Sequence, residues 1–294
     1  MPSRLSLTVV LAVVSVFPGV GTAEGISTDR AAWNAPQPPF HIYGNTWYVG
    51  PHGLSSILID TGQGLALFDG DLPESAPQIE THIRALGFRI RDVKWIFNSH
   101  AHIDHAGGIA ALQHASGAQV LASAAGARAL ELGGADPGDP QYGSVPDYSP
   151  IRHVRVVRDG ETLHLGDVAV TAHYTPGHTP GSTAWTWTSC ENGHCLHLVY
   201  ADSLAAVSAP MYRFSAHARY VAGFRRSIAA VAALPCDILL SPHPGASDFW
   251  QRVVRRGSSG NAAPLVDRRA CRRYAAAAAR TLNSRLAQEH AAVK

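Results

Sequence analysis

Residues 98–108 (NSHAHIDHAGG) place three imidazoles and one carboxylate within six positions, directly after the strand-like run 93–97 (VKWIF). Neutral imidazole and carboxylate are both suitable ligands for a borderline divalent cation. A lone histidine is usually a surface or core residue, but a cluster this dense is hard to explain without a metal. A site that stays partly open to water favours catalysis. Zinc-dependent hydrolysis is therefore the first functional hypothesis.

The spacing of these side chains suits more than one ion. Side-chain direction repeats every two residues in an extended segment, so His100 and His102 point to the same side and can share one metal. Asp104 and His105 follow the turn of the chain and can face a second metal. The glycines at 107–108 let the backbone begin the next helix without a Cβ clash. The segment alone thus supplies part of two sites.

Two further histidines occur in loops that follow strand-like runs. His178 lies in the segment 175–182 (TPGHTPGS), and His243 lies in 241–245 (SPHPG). Proline and glycine on both sides end a strand and form rigid turns, so we expect both imidazoles at strand ends. One histidine from each loop would complete two sites of three protein ligands, with positions left for water.

The six candidate ligands and their order along the chain resemble the metallo-β-lactamase superfamily. They are His100, His102, Asp104, His105, His178 and His243. The likeness extends from about Trp33 to the C-terminal helix, and its details resemble subclass B3. Three segments carry the subclass: 43–50 (YGNTWYVG), 200–204 (YADSL) and 234–240 (LPCDILL).

The resemblance implies a four-layer αββα sandwich. Hydrophobic periodicity by itself predicts two rounds of hairpins and helices, each followed by a strand that ends at a candidate ligand. The predicted helices are 76–86, 109–115, 124–132, 221–234 and 267–291. Composition and periodicity alone support only a mixed α/β domain with layered sheets.

The resemblance also implies two zinc ions and hydrolysis of the β-lactam amide bond of penicillins, cephalosporins and carbapenems, hence antibiotic resistance. The first zinc would be bound by His100, His102 and His178, and the second by Asp104, His105 and His243. A hydroxide that bridges the metals would attack the carbonyl carbon, and Asp104 would help to orient it. No serine or cysteine nucleophile is needed.

Asp202 and Ser203 separate this interpretation from the alternative, a dizinc lactone or thioester hydrolase of the same superfamily. Such relatives typically use an additional aspartate that bridges both metals, and Asp202 is a candidate for that role. The lactamase resemblance instead assigns Ser203 to the substrate carboxylate or a zinc-bound water, with Asp202 orienting the loop from outside the metal ligands. A non-catalytic exported zinc-binding protein is a third hypothesis.

The Gly-, Pro- and Asp-rich segment 133–151 interrupts the regular elements. It is either an ordinary surface loop or a wall of the active site, because long loops in compact domains are often lids or binding loops. The family resemblance favours the wall. It identifies Tyr142 and Ile151 as apolar candidates for substrate contact.

The N-terminus has the features of a secretory signal over residues 1–23: a positive Arg4, an apolar run at 5–17 and small residues at 21–23. The apolar run is shorter than the roughly 20 residues that a membrane span needs. We expect export to the periplasm, no membrane attachment after signal removal, and a single metallo-β-lactamase domain over 24–294.

Four cysteines fit an exported protein. Cys190 and Cys195 bracket a four-residue turn between strand-like runs and can close a hairpin. Cys236 and Cys271 can tie the His243 region to the last helix, and in this long-loop bridge the chain resembles family members. Thiolate metal ligation is the alternative, but neither pair has zinc-finger spacing to a third ligand.

Charge argues against a nucleic-acid partner. The formal net charge is +2 over 294 residues, and the C-terminal arginines are interspersed with alanine rather than forming a stripe. The expected partner is a small-molecule β-lactam, and the protein is expected to be a monomer.

Overall fold

The computed structural model describes residues 29–257 and 261–292, so the predicted signal segment 1–23 lies outside the described residues. The strands are β1 (Phe40–Tyr43), β2 (Thr46–Tyr48), β3 (Ile57–Asp60), β4 (Leu65–Phe68), β5 (Val93–Phe97), β6 (Gln119–Ala122), β7 (Arg155–Val156), β8 (Thr162–Leu165), β9 (Val168–Tyr174), β10 (Thr183–Glu191), β11 (His194–Tyr200) and β12 (Ile238–Leu240). The helices used below are α1 (Ala76–Ala85), α2 (Ile103–Ala106), α3 (Ile109–Ser116), α4 (Ala124–Glu131), α5 (Ala218–Ala233), α6 (Phe249–Arg256) and α7 (Ala270–Ala291).

Within the described residues the strands form two sheets. The first has the order β1-β2-β3-β4-β5-β6-β7, antiparallel through β4 and parallel from β4 to β7. The second has the order β12-β11-β10-β9-β8, and only its β11–β12 pair is parallel. The parallel strands β5 and β12 each end at a segment that carries candidate ligands.

Alternation of side chains along each strand builds the layers. In β4, Leu67 packs with the residues of α1 and α3, whereas Phe68 packs between the two sheets. In β11, Val199 packs with α5 and α7, whereas Tyr200 packs between the sheets. One hydrophobic core therefore lies between the sheets and one under each helical layer. The expected four-layer αββα sandwich is confirmed.

Aromatic side chains of the central core connect the second sheet to the histidine-rich segment. The Trp185 indole is fully buried and donates its N–H to the carbonyl oxygen of Asn98 at 3.1 Å. The Tyr200 hydroxyl donates to Asp69 Oδ2 at 2.8 Å, and the same carboxylate accepts the Ser99 hydroxyl at 2.6 Å. Burial of a large side chain stabilises the fold by about 1.5–3 kcal/mol, so this core also anchors the start of the metal segment.

Both predicted disulfides are present. Cys190 and Cys195 lie directly opposite each other on β10 and β11 and are bonded, which closes the predicted hairpin. The Cys236–Cys271 disulfide joins the chain two residues before β12 to the first turn of α7. The second bridge thereby attaches the strand that leads to His243 to the outer helical layer.

The structure differs from the sequence predictions at several elements. Helix α6 was not predicted, because its sequence is rich in arginine and its apolar residues are confined to one face. The last helix begins at Ala270 rather than at residue 267, and the helix predicted at 221–234 spans Ala218–Ala233. Among the described residues, no helix is long and apolar enough to cross a bilayer.

Candidate metal centre

The segment after β5 turns from extended backbone into a short helix. His102 precedes α2 and is still extended, with φ −85° and ψ 154°, whereas Asp104 and His105 lie within α2. Gly108 is required by packing, since a Cβ there would lie 2.2 Å from the carbonyl oxygen of Gly70. The first two histidines therefore project from extended chain, and the later ligands project from a helical turn.

His178 and His243 lie in the predicted loops after β9 and β12. Gly177 brings the His178 loop against α5, because a Cβ there would lie 2.0 Å from the Phe224 ring. The His243 loop is fastened from α6 by the buried guanidinium of Arg252. That guanidinium donates to the carbonyl oxygens of Leu239 at 2.8 Å and Ser247 at 3.1 Å, on either side of His243.

His100, His102 and His178, here called the first trio, have ligand atoms within 4.8 Å of one another and can hold a metal ion. Their ring centroids are 4.7–4.9 Å apart. Each ring donates one N–H to an oxygen behind it. His100 Nδ1 donates to Asp202 Oδ1 at 2.7 Å, His102 Nε2 to Asp139 Oδ2 at 2.8 Å, and His178 Nδ1 to the Ala205 carbonyl at 2.9 Å.

These outer hydrogen bonds determine which nitrogen remains for an ion. Carboxylate and carbonyl oxygens can only accept, so the nitrogen that faces them carries the proton. His100 and His178 keep Nε2 for an ion, whereas His102 keeps Nδ1. His100 Nε2 is buried and has no hydrogen-bond partner among the described residues. A buried polar nitrogen without a partner is costly, and a metal would satisfy it.

Asp104, His105 and His243, here called the second trio, converge more closely. His105 Nε2 lies 3.1 Å from Asp104 Oδ2 and 3.2 Å from His243 Nε2, and His243 Nε2 lies 3.2 Å from Asp104 Oδ2. Ligands around a tetrahedral zinc with bonds near 2.0–2.1 Å are separated by roughly 3.3 Å. The three atoms therefore fit one ion.

Burial favours the neutral form of His100 and His178, which is the form of imidazole that binds metal. It lowers the pKa of His100 well below its ordinary value and that of His178 to about 3. For Asp104, burial opposes ionisation, but the neighbouring His105 and His243 hold the pKa of its carboxyl well below the ordinary range. For His102, burial opposes protonation, but the hydrogen bond to Asp139 raises the pKa of its imidazole.

The surroundings of the two trios contain several buried carboxyl groups and, among the described residues, no buried cationic side chain that pairs with them. Five buried carboxyl groups lie in or beside the two trios: Asp69, Asp71, Asp104, Asp139 and Asp202. Among the described residues the buried guanidinium is that of Arg252, and it donates to main-chain carbonyls. Burial raises the pKa of Asp69 to about 7, because a carboxylate that is removed from water loses its solvation. Divalent cations suit this donor set and this charge.

A cleft of about 290 Å³ opens onto both trios. Its lining includes Ser203, as predicted for a substrate contact, together with residues that the sequence did not identify. These are Arg30, Trp33, Gln141, Ser144, Val145 and Val207, among others. Trp33 also lies against the His243 ring, with centroids 5.5 Å apart. Asp202 lies behind His100 rather than between the two trios.

The two apolar candidates of the 133–151 loop need revision. Ile151 is fully buried in the core under the first helical layer, so its side chain cannot contact a substrate. Packing rather than function explains that residue. Tyr142 is 52% exposed but is not part of the cleft lining. The loop instead contributes Gln141 and residues 144–146 to the cleft lining. It therefore forms a wall of the cleft, but with side chains other than the two that were predicted.

Comparison with known proteins agrees with this geometry. The family model of the metallo-beta-lactamase superfamily matches residues 41–192, so the chain belongs to that superfamily. The subclass B3 metallo-beta-lactamase MEM-A1, isolated from a soil metagenome library, is 53% identical with a TM-score of 0.86, over 88% of this chain and 99% of that chain. MIM-1 from Novosphingobium pentaromativorans is 44% identical with a TM-score of 0.84, over 89% and 94%. These similarities place the chain in subclass B3.

Curated relatives are more distant. A probable metallo-hydrolase of Burkholderia pseudomallei (strain 1710b) is 30% identical over 156 residues, which is 48% of this chain and 50% of that protein. The chain spans about half of the length of this relative. The assignment to subclass B3 therefore rests on the similarity to the solved structures.

Proposed function

We propose that the chain is a zinc-dependent β-lactamase that opens the amide bond of penicillins, cephalosporins and carbapenems in the periplasm and so confers antibiotic resistance. The observation that carries the proposal is the convergence of two ligand trios beneath one cleft. The fold around them is shared with B3 metallo-beta-lactamases at 44–53% identity. The secretory signal predicted from the sequence of residues 1–23 supports the location, as do two disulfides.

The first trio would bind one zinc ion and the second trio would bind another. Zinc, when bound, supplies a water nucleophile that is active near neutral pH and a Lewis acid for the carbonyl oxygen. The protein contributes orientation. Asp202 and the Ala205 carbonyl set the ring directions of His100 and His178, and the ionised Asp104 can accept a hydrogen bond from the attacking water and so orient it.

The cleft determines how a β-lactam is oriented. β-Lactams carry a carboxylate, and the Ser203 hydroxyl lines the cleft beside His178 and can donate to it. Trp33 and Val145 present apolar surface to substituents of the ring system. Arg30 also reaches the lining, but its guanidinium is already bonded to Glu74 at 2.7 Å and 3.0 Å. Ser203 is therefore the proposed carboxylate contact.

Rates with a penicillin, a cephalosporin, a carbapenem and a monobactam test the substrate class, with a lactone and a thioester as controls. We expect hydrolysis of the first three and no hydrolysis of the monobactam. Faster turnover of the lactone or thioester would instead support the alternative hydrolase. That alternative assigns Asp202 to both metals, whereas the Asp202 carboxylate lies behind the His100 ring in this structure.

Chelation tests the metal dependence. EDTA should reduce hydrolysis to the background rate, and added zinc should restore it with two zinc ions per chain. Clavulanate, which targets serine enzymes, should leave the rate unchanged. Full activity in metal-free protein would end the proposal.

A further inference from the structure

Asp139 links the wall of the cleft to a candidate metal ligand. Its Oδ2 accepts from His102 Nε2 at 2.8 Å, and the two side chains are 8% and 6% exposed. The two residues are 37 positions apart in the chain, so tertiary structure creates the contact. Of the first trio, His102 is the ring whose outer partner comes from the 133–151 loop.

The Asp139 carboxylate is itself held in place by the loop. The Gln141 main-chain N–H donates to Asp139 Oδ1 at 2.7 Å, and the Asp139 N–H donates to the Asp136 carbonyl at 3.0 Å. The buried Asp136 carboxylate is paired with Arg128 Nη2 at 2.6 Å, which fastens this turn to helix α4. The loop therefore fixes the position of the Asp139 carboxylate through contacts that do not involve His102.

This contact gives His102 an orientation that differs from its neighbours. His100 and His178 donate outward from Nδ1, whereas His102 donates outward from Nε2. Without an acceptor at Asp139, rotation about the Cβ–Cγ bond and the other tautomer become accessible to His102. Either change would withdraw Nδ1 from the first trio.

The same loop also reaches the substrate side of the cleft. Gln141 and Val145 line the cleft within six residues of Asp139. The Pro140 carbonyl accepts the Ala209 N–H at 2.8 Å, which joins this loop to the segment whose Ala205 carbonyl holds His178. The loop that lines the cleft is thus hydrogen-bonded to the segment behind His178. The outer acceptors of His102 and His178 therefore belong to two connected segments.

We propose that Asp139 is a positioning residue that keeps His102 Nδ1 directed at the ion of the first trio. The loop that lines the cleft thereby sets the metal affinity of that trio. The proposal rests on the metal-binding part of the proposed function. Loss of such an outer partner typically costs about 10- to 100-fold in metal affinity.

Asp139→Asn and Asp139→Ala test the proposal, with Asp147→Asn as the matched control. Asp147 is exposed on the same loop, so its substitution removes the same charge without touching His102. Asp136→Asn controls for loop anchoring, because it loosens the pair with Arg128 but leaves the His102 contact intact. The thermal midpoint of each metal-free protein reports whether the variant still folds.

Zinc affinity is measured by competition with a chromophoric chelator, starting from metal-free protein. Two-bond ¹H–¹⁵N NMR of the zinc-loaded protein identifies the protonated nitrogen of His102. Asp139→Ala should weaken zinc binding at the first trio by about 10- to 100-fold. Asp139→Asn should weaken it less because its carbonyl oxygen can still accept, and Asp147→Asn should not change it. The protonated nitrogen should be Nε2 in wild type and should become heterogeneous in Asp139→Ala.

Wild-type affinity and a uniform Nε2–H in Asp139→Ala would overturn the proposal. So would an equal loss of affinity in Asp136→Asn and Asp139→Ala, because loop anchoring would then account for both. These outcomes differ from failure of the proposed function, in which the wild type itself would bind no zinc or hydrolyse no β-lactam.

Discussion

The two trios differ in how their side chains are supported from behind. In the first trio every ring donates outward to an oxygen of the protein, at 2.7–2.9 Å. In the second trio, His105 Nδ1 is buried without a hydrogen-bond partner among the described residues. The His243 side chain is 32% exposed, whereas those of His100 and His102 are at most 6% exposed. The rings of the first trio are therefore each held by an outer hydrogen bond, whereas the histidines of the second trio have less support of this kind.

This difference predicts unequal metal binding. An outer hydrogen bond fixes the tautomer and the ring direction of a ligand, so less conformational freedom is lost when the ion binds. We expect the first trio to bind its ion more tightly than the second, and the second to exchange its ion more readily. The four predictions that follow test this comparison.

Removal of one ligand should have the largest effect. His178→Ala takes a braced ligand from the first trio and should lower kcat/KM for a cephalosporin by roughly 10³-fold. Metal binding supplies several kcal/mol of charge stabilisation, and each factor of ten corresponds to about 1.4 kcal/mol. His243→Ala should retain one zinc ion and lose less activity. Equal zinc loss and equal rates in the two variants would contradict the comparison.

Removal of one outer partner should have an intermediate effect. Asp202→Asn weakens the acceptor behind His100 and should lower the affinity of the tighter zinc site by about 10- to 100-fold, with the weaker site nearly unchanged. Asp237→Asn is the control, because that carboxylate pairs with Arg268 and the His197 N–H instead. A variant with unaltered affinity at both sites would show that the outer carboxylate has no part in metal binding.

Graded chelation of the wild type should separate the two sites. Dialysis against increasing chelator concentrations should remove one zinc ion per chain before the other, with dissociation constants about tenfold or more apart. Bound zinc measured by elemental analysis at each step checks this. Loss of both ions in a single step would mean that the different support of the two trios has no thermodynamic consequence.

A substitution far from the two trios should leave the ratio of the two zinc affinities unchanged. The Glu289 carboxylate accepts the N–H groups of Phe214 and Ser215 and pairs with Arg285 at 2.6 Å. Although burial opposes ionisation, these partners hold the pKa of Glu289 at about 2. Glu289→Gln should therefore lower the free energy of unfolding at pH 7 by about 1–3 kcal/mol without altering the ratio of the two zinc affinities.

The pH dependence of that variant has a definite sign. The folded pKa of Glu289 lies below its ordinary value of 4.5, so the stabilisation is complete above pH 4.5 and is lost as pH falls towards 2. The difference between wild type and Glu289→Gln should shrink over this range in denaturant unfolding. A constant difference from pH 7 to pH 2.5 would contradict the role assigned to the carboxylate.

The candidate ligands were accessible from sequence because each signal is local. The spacing of His100 and His102 follows from the two-residue period of extended chain, and Pro and Gly around His178 and His243 mark strand ends. The hairpin of Cys190 and Cys195 was accessible for the same reason. Helix α6 was missed because Arg252, a residue type that is rarely buried, belongs to its packed face.

The sequence by itself determined the family, the layered α/β class and the side chains able to bind metal, since these depend on residue chemistry and short-range periodicity. Tertiary structure alone decided that Asp139 and Ala205 stand behind two of the histidines, that Trp33 reaches the cleft, and that Ile151 does not. Those relations join residues tens of positions apart. Packing of whole layers sets them, because the direction of a loop side chain depends on which neighbouring surface buries it.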